Sequence, residues 1–152
     1  MKIKRQEGFT MVELLVVVGI TGILMATAVP VYRTWQGRAY GSEAAIMIKQ
    51  ILDAEILYYL EHDKFYPDQS DILILHKYDP DHANVKDIEE KLNIIVPTGH
   101  FLDYTFSSYD DEGVYTFQLS INSINNQFEI FKDVTNIAYK MDKDGNISTF
   151  TF

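Results

Sequence analysis

A run of nineteen residues without a charged side chain, from Leu14 to Tyr32, constrains this chain more than any other feature. As a helix the run would rise about 28 Å, close to the thickness of the hydrocarbon core of a bilayer. Its ten strongly apolar side chains favour insertion by about 3 to 6 kcal/mol, whereas a carboxylate near the interface costs less than about 3.5 kcal/mol. We therefore expect the segment to enter a membrane in spite of Glu13.

Several features around this run are not needed by a simple transmembrane anchor. A short basic leader, MKIKRQEG, ends at Gly8, and Phe9, Thr10 and Glu13 follow before the apolar residues. The combined pattern, GFTMVELLVVVGI, resembles the class III signal of type IV pilins and type II secretion pseudopilins.

The resemblance implies a role for three of these residues. A membrane peptidase would cut after Gly8 and methylate the new amine of Phe9, and Glu13 would serve filament assembly. Glu13 lies one helical turn from Phe9, so a free amine there could neutralise Glu13 of its own chain or of a neighbour; the resemblance implies the neighbour. The alternative is an acid in the first helical turn that only stabilises the helix dipole.

Gly19, Gly22 and Pro30 interrupt the apolar segment. Proline removes a backbone donor and bends a helix, and small residues let helices approach closely in lipid. We predict a helix bend at these residues; many type IV pilins carry a proline at the place of Pro30.

A second helical pattern follows the apolar run. Apolar residues recur at spacings of three and four, which predicts a single buried stripe; they are Ala45, Ile48, Leu52, Ile56 and Tyr59. Gly41 and Ser42 are interpreted as a bend or joint, and DKFYPD with Pro67 as the end of the helix.

The remainder predicts a short helix and several strands. DILIL is a short strand or helical turn, and DPDHANVKDIEEKLNI a loop and a helix with Val85, Ile88 and Leu92 on one side. Apolar and polar side chains alternate in GVYTFQLSI, which follows FLDYTFSS through the turn YDDEG. QFEIF is a further predicted strand, and DKDGN joins IAYKM to ISTFTF as a hairpin.

These elements predict an α+β fold, the pilin-like lollipop, in which a long N-terminal helix packs on a C-terminal antiparallel sheet of about four strands. The predicted parts are a cleaved leader (1–8), the long helix (9–62, with about 12–32 transmembrane) and a globular head (63–152).

Charge and cysteine content exclude some classes of function. The net charge is −9, and without residues 1–8, which contribute +2, it would be −11. This balance argues against general nucleic-acid binding and suits a soluble exported head. Because the chain has no cysteine, disulfides and zinc–thiolate sites are excluded; many pilins carry a C-terminal disulfide, so the chain departs from them here.

The turn DKDGN raises the question of calcium. Asp142, Asp144 and Asn146 are spaced like the start of a calcium loop, and some secretion pseudopilins bind calcium near the C-terminus. Gly145 is out of place for such a loop and no glutamate completes the ligand set, so a hairpin turn is the favoured interpretation and no cofactor is expected. No GxSxG, HExxH or phosphate-loop motif occurs, and we expect no enzyme.

The sequence thus predicts the prepilin of a type IV pilus or type II secretion pseudopilus. The resemblance implies a prepilin peptidase, other pilin subunits, a platform protein and an assembly ATPase as partners. The protein would wait in the bacterial inner membrane with its head outside, and then join a periplasmic pseudopilus or a surface pilus. The alternative is an exported binding domain or enzyme, tethered by an uncleaved helix or released after Ala28 in the small-residue pattern Ala26-x-Ala28.

Overall fold

The long helix and the sheet confirm the predicted α+β class. The computed structural model describes residues 8–99, 101–111, 114–124, 129–131 and 134–151. The elements are α1 (Met11–His62), β1 (Asp71–Ile74), α2 (Ala83–Leu92), β2 (Leu102–Asp111), β3 (Val114–Ser123), β4 (Asn136–Asp142) and β5 (Ile147–Thr151). The chain divides into two compact units, residues 1–36 and residues 37–152. Most of the predicted leader, residues 1–7, lies outside the described residues.

Within the second unit, one side of α1 is buried. The buried residues of α1 are Tyr40, Gly41, Ala44, Met47, Ile48, Ile51, Leu52, Ala54 and Glu55. The predicted stripe was partly wrong: Ile48 and Leu52 are buried, but Ala45 is exposed and Ile56 is 37% exposed. Two neighbouring residues point inward on most turns, so the buried stripe is wider than predicted and begins earlier, at Tyr40.

The five strands form an antiparallel meander in the order β1-β2-β3-β4-β5, one strand more than predicted. Residues on one face stand opposite each other across the central strands, as Phe106 does with Leu119 and Leu119 with Tyr139. That face joins the buried side of α1 in a single hydrophobic core. The predicted hairpin of IAYKM and ISTFTF is confirmed as β4 and β5.

The short predicted helix is confirmed as α2, with Val85, Ile88 and Leu92 buried. His82 caps its start by accepting a hydrogen bond from Asn84 N at 3.2 Å. Asn84 Nδ2 in turn donates to the carbonyl oxygen of Leu73 at 2.8 Å, which ties α2 to β1.

The predicted joint at Gly41 is wrong in so far as it would break the helix, because α1 is continuous from Met11 to His62; a bend there stays a prediction. A Cβ atom on Gly41 would lie 2.3 Å from the carbonyl oxygen of Ile130, and one on Gly37 would lie 3.2 Å from that of Glu129. The two glycines are four residues apart and therefore share a helix face. They let residues 129–131 approach α1 more closely than any side chain would permit.

The predicted strand QFEIF is wrong in its described part. Residues 127 and 128 lie outside the described residues, as do residues 112 and 113 of the predicted turn YDDEG. Residues 129–131 belong to no named strand; Phe131 forms an isolated bridge with Val134, and Ile130 N donates to Val134 O at 2.8 Å. The segment folds back on itself over α1, with Ile130 buried.

Candidate processing and assembly site

The bond between Gly8 and Phe9 lies outside any helix or strand, two residues before α1 begins at Met11. Phe9 exposes 85% of its surface. A Cβ atom on Gly8 would meet no described atom within 4 Å. The fold itself therefore places no steric demand for glycine at position 8, and the backbone there is open to an enzyme.

Glu13 and Thr10 form a reciprocal cap at the start of α1. Thr10 N and Thr10 Oγ1 each donate to Glu13 Oε2 at 2.8 Å, and Glu13 N donates to Thr10 Oγ1 at 3.3 Å. This is the capping box, in which a threonine and a glutamate three residues later satisfy each other's backbone donors. Among the described residues the Glu13 side chain accepts through Oε2 alone, so Oε1 is left for a further donor.

The first part of α1 presents apolar side chains around its whole circumference. From Leu14 to Val31 the large apolar residues expose 50–70% of their surface. In the described part of the chain, α1 is the one helix long and apolar enough to cross a membrane, and its most apolar window is not buried. A helix that is apolar on every side needs lipid or neighbouring helices around it.

The polar groups within this part of α1 are satisfied internally. Thr21 Oγ1 donates to the carbonyl oxygen of Val17 at 2.7 Å, and Thr27 Oγ1 to that of Leu24 at 3.0 Å. Thr34 Oγ1 donates to that of Pro30 at 3.1 Å. Hydroxyls that bond the backbone of their own helix can enter hydrocarbon without an unsatisfied donor.

Gly19, Gly22 and Pro30 all lie inside α1. A Cβ atom on either glycine would meet no described atom within 4 Å, so neither glycine is required by a contact within the chain. Whether these residues bend the helix stays a prediction, as do the roles of Gly8, Phe9 and Glu13.

The start of the chain matches a family described as the prokaryotic N-terminal methylation motif, over residues 3–29. A fimbrial protein of Neisseria meningitidis serogroup A is 32% identical over 93 residues, 61% of this chain and 55% of that protein. A fimbrial protein of serogroup B is 28% identical over 124 residues, 82% of this chain and 61% of that protein. The N-terminal motif and these relatives support a place for the chain in the type IV pilin family.

A further relative is a type IV pilin from another genus. The type IV major pilin protein PilA of Myxococcus xanthus is 39% identical over 61 residues, which is 40% of this chain and 28% of that protein. In all three relatives the match covers less than two thirds of the protein. No solved structure matches the chain. The relatives are structural pilins rather than enzymes, in line with the expectation from sequence.

The calcium candidates lie together in the turn between β4 and β5, but the carboxylate of Asp142 is engaged by the turn itself. Asp142 Oδ1 accepts from Asp144 N and Asn146 N, and Oδ2 from Asn146 Nδ2, all at 2.9 Å. The bonds from Asn146 hold the pKa of Asp142 below its usual range. Among the described residues, no group of three or more acidic, histidine or cysteine side chains is placed to hold a metal ion.

Sequence reasoning missed a buried carboxyl group within residues 37–152. Glu55 on α1 is fully buried, with Oε2 accepting from Tyr66 N at 3.0 Å; Oε1 has no partner among the described residues. Burial raises the pKa of Glu55 to about 8, so the group is mostly protonated at neutral pH. The hydroxyl of Tyr66 donates to Asp87 and thereby links this site to α2.

Proposed function

We propose that this chain is the precursor of a filament subunit of the type IV pilus or of the related type II secretion pseudopilus. A peptidase removes residues 1–8, the amine of Phe9 is methylated, and the mature chain polymerises through α1. The apolar first part of α1, exposed on every side behind an accessible Gly8–Phe9 bond, carries this proposal.

Before assembly the apolar part of α1 anchors the subunit in the bacterial inner membrane. The threonine hydroxyls bonded within the helix make that segment compatible with lipid. The head lies outside the cytoplasm, where the −11 charge of the mature chain favours solubility. In the filament the same apolar surface is buried among neighbouring helices, which holds the subunits together.

Glu13 sets the register between subunits by pairing with the amine of an adjacent chain. An unpaired carboxylate among apolar helices is costly, and a protonated amine is the partner that removes the cost. The capping box occupies Oε2, which leaves Oε1 to accept from that amine without breaking the start of α1.

Assembly requires partners outside the chain. A prepilin peptidase cuts and methylates, and a platform protein with an assembly ATPase extracts the subunit from the membrane. The N-terminal match and the named pilin relatives support this set of partners. Calcium binding is not part of the proposal, because the turn already uses the carboxylate of Asp142.

Mass spectrometry of the N-terminus tests the proposal directly. The full chain is isolated from its own cells, or from a host with and without a co-expressed prepilin peptidase. A chain that begins with methylated Phe9 only where the peptidase is present is the expected result. Gly8→Ala and Gly8→Val should slow cleavage without changing the fold, since no described atom crowds position 8.

Two other starts would contradict the proposal. A chain that begins at Val29 would be a secreted domain released after Ala28, and no filament helix would remain. An intact Met1 beside an active peptidase would make the chain a tethered membrane protein. In either case the exported binding domain or enzyme becomes the better hypothesis.

A further inference from the structure

The turn between β4 and β5 contains a sequence to which the proposed function assigns no role. It runs into β5 as Asn146-Ile147-Ser148. An asparagine followed by any residue except proline, and then by serine or threonine, is the acceptor sequence for N-linked glycans in exported proteins. Residues 143–150 are all exposed, so this acceptor lies on the surface of the head.

The hydrogen bonds of the turn present Asn146 without burying it. Its Nδ2 donates to Asp142 Oδ2 at 2.9 Å, and Gly145 allows the turn with a φ of 79°. Ser148 Oγ lies 3.4 Å from the carbonyl oxygen of Lys140, at the long limit of a hydrogen bond. Both side chains that a transferase must reach are therefore accessible, and Asp144 adds an exposed carboxylate that a basic pocket could hold.

The strand that follows the acceptor, β5, has an outer edge that a covering group would protect from pairing with another chain. β5 is an outer strand of the sheet, so within the described chain its far edge has no strand partner. It contains no charged residue and no proline, and Ile147 and Phe150 are 49% and 46% exposed. Such an edge pairs readily with another chain. The opposite edge, β1, is only four residues long and begins with Asp71.

We propose that Asn146 is N-glycosylated after the head leaves the cytoplasm, a location that rests on the proposed function. Asn146 Nδ2 forms a bond to the anomeric carbon of an oligosaccharide carried on a polyprenyl diphosphate. The bond from that carbon to the diphosphate breaks, the diphosphate leaves with the electron pair, and a base of the transferase takes the amide proton. The hydrated glycan then stands beside the first residue of β5 and obstructs pairing along its free edge.

The experiment is mass spectrometry of the full chain purified from its own cells, at the level of the intact protein and of the peptide that contains Asn146. Treatment with peptide N-glycosidase should remove the added mass and leave aspartate at position 146. Ser148→Ala should lose the glycan completely while leaving the bonds between Asp142 and Asn146 in place. Ser148→Thr should retain it, because threonine keeps the required hydroxyl. Asn146→Gln serves as a second variant that lacks the acceptor.

An unmodified Asn146 in the chain from its own cells overturns the proposal, and so does an added mass that persists in Ser148→Ala. The same spectra report the N-terminus, which separates the two hypotheses. Methylated Phe9 with an unmodified Asn146 would contradict the glycosylation proposal and leave the proposed processing standing. A glycan on Asn146 of a chain that still begins at Met1 would defeat the proposed processing and leave the acceptor established.

Discussion

The observed role of Glu13, the cap of α1, and its proposed role, the charge for a neighbouring amine, can be separated by substitution. Glu13→Gln keeps an acceptor for Thr10 and removes the charge, so we expect normal processing and no filaments. Glu13→Ala removes both, and loss of the cap should add about 0.5 to 2 kcal/mol of destabilisation at the helix start. The measurements are N-terminal mass and the yield of sheared filaments.

Thr10→Val is the matched control for that series. It removes the capping hydroxyl but keeps the Glu13 carboxylate. We expect this variant to assemble, with a less stable first turn of α1. Normal filaments from Glu13→Gln would show that the charge is not needed for assembly.

Glu55 should make the stability of the head depend on pH. Its pKa is about 8 in the folded chain against an ordinary value of 4.5. Between these values the unfolded chain releases the proton and the folded chain keeps it, so the contribution of Glu55 to stability is full below pH 4.5 and is lost as the pH rises through 8. The full shift corresponds to about 5 kcal/mol as an upper bound.

Glu55→Gln should remove most of that pH dependence, because glutamine does not titrate. The fold should be kept, since the amide oxygen can still accept from Tyr66 N. Urea unfolding of the full chain in detergent at pH 5 and pH 8, followed by circular dichroism, measures the difference. If the unsubstituted chain and Glu55→Gln lose the same free energy of unfolding between pH 5 and pH 8, the pH dependence comes from other groups.

The sequence located some of these residues and could not locate others. Gly8, Phe9 and Glu13 were visible as a pattern, and the capping box could also have been found, since Thr10-x-x-Glu13 is its signature. Glu55 could not be found, because a carboxylate on an amphipathic helix is expected at the surface. Its burial depends on Tyr66, eleven residues away, supplying a backbone donor.

At the scale of elements, the crossing of residues 129–131 over α1 predicts a sharp difference between two glycines. In Gly41→Ala the new Cβ would stand 2.3 Å from the carbonyl oxygen of Ile130, whose N–H is held by Val134. Overpacking costs about 1 to 3 kcal/mol, and alanine returns up to about 1 kcal/mol of helix propensity. We expect the free energy of unfolding, measured by thermal unfolding, to fall by up to about 2 kcal/mol.

Gly37→Ala is the control for this crossing, because its Cβ would meet the carbonyl oxygen of Glu129 at 3.2 Å. A shift of a few tenths of an ångström relieves that contact, and the gain in helix propensity offsets it. Equal effects of the two substitutions would mean that the segment does not cross α1 at Gly41.

Periodicity predicted the helices and the hairpin of β4 and β5 because their side chains repeat with the period of the element. It misplaced the stripe on α1 because two adjacent residues on most turns face the core. Spacings of three and four can then be followed through either residue of each pair. It misassigned QFEIF because alternation is typical of a strand, while the path of residues 129–131 is set by glycines about ninety residues earlier.

At the scale of the molecule, the distribution of buried residues predicts that residues 37–152 fold without the apolar segment. Every buried hydrophobic residue among those described lies at or after Tyr40. We expect this fragment to be monomeric in water by light scattering, whereas residues 9–152 should self-associate without detergent. Aggregation of the shorter fragment would mean that the head needs the first part of α1 to fold.

Gly8 and Gly41 show how selection can act on one residue type for unrelated reasons. At position 8 a side chain would meet nothing in the described chain, whereas at position 41 it would strike the backbone of Ile130. In the course of evolution, position 8 is therefore free to change in step with the peptidase that we propose to cut beside it. Position 41 can change only together with the path of the segment that crosses it. Substitutions at position 41 should therefore accompany changes in residues 129–131.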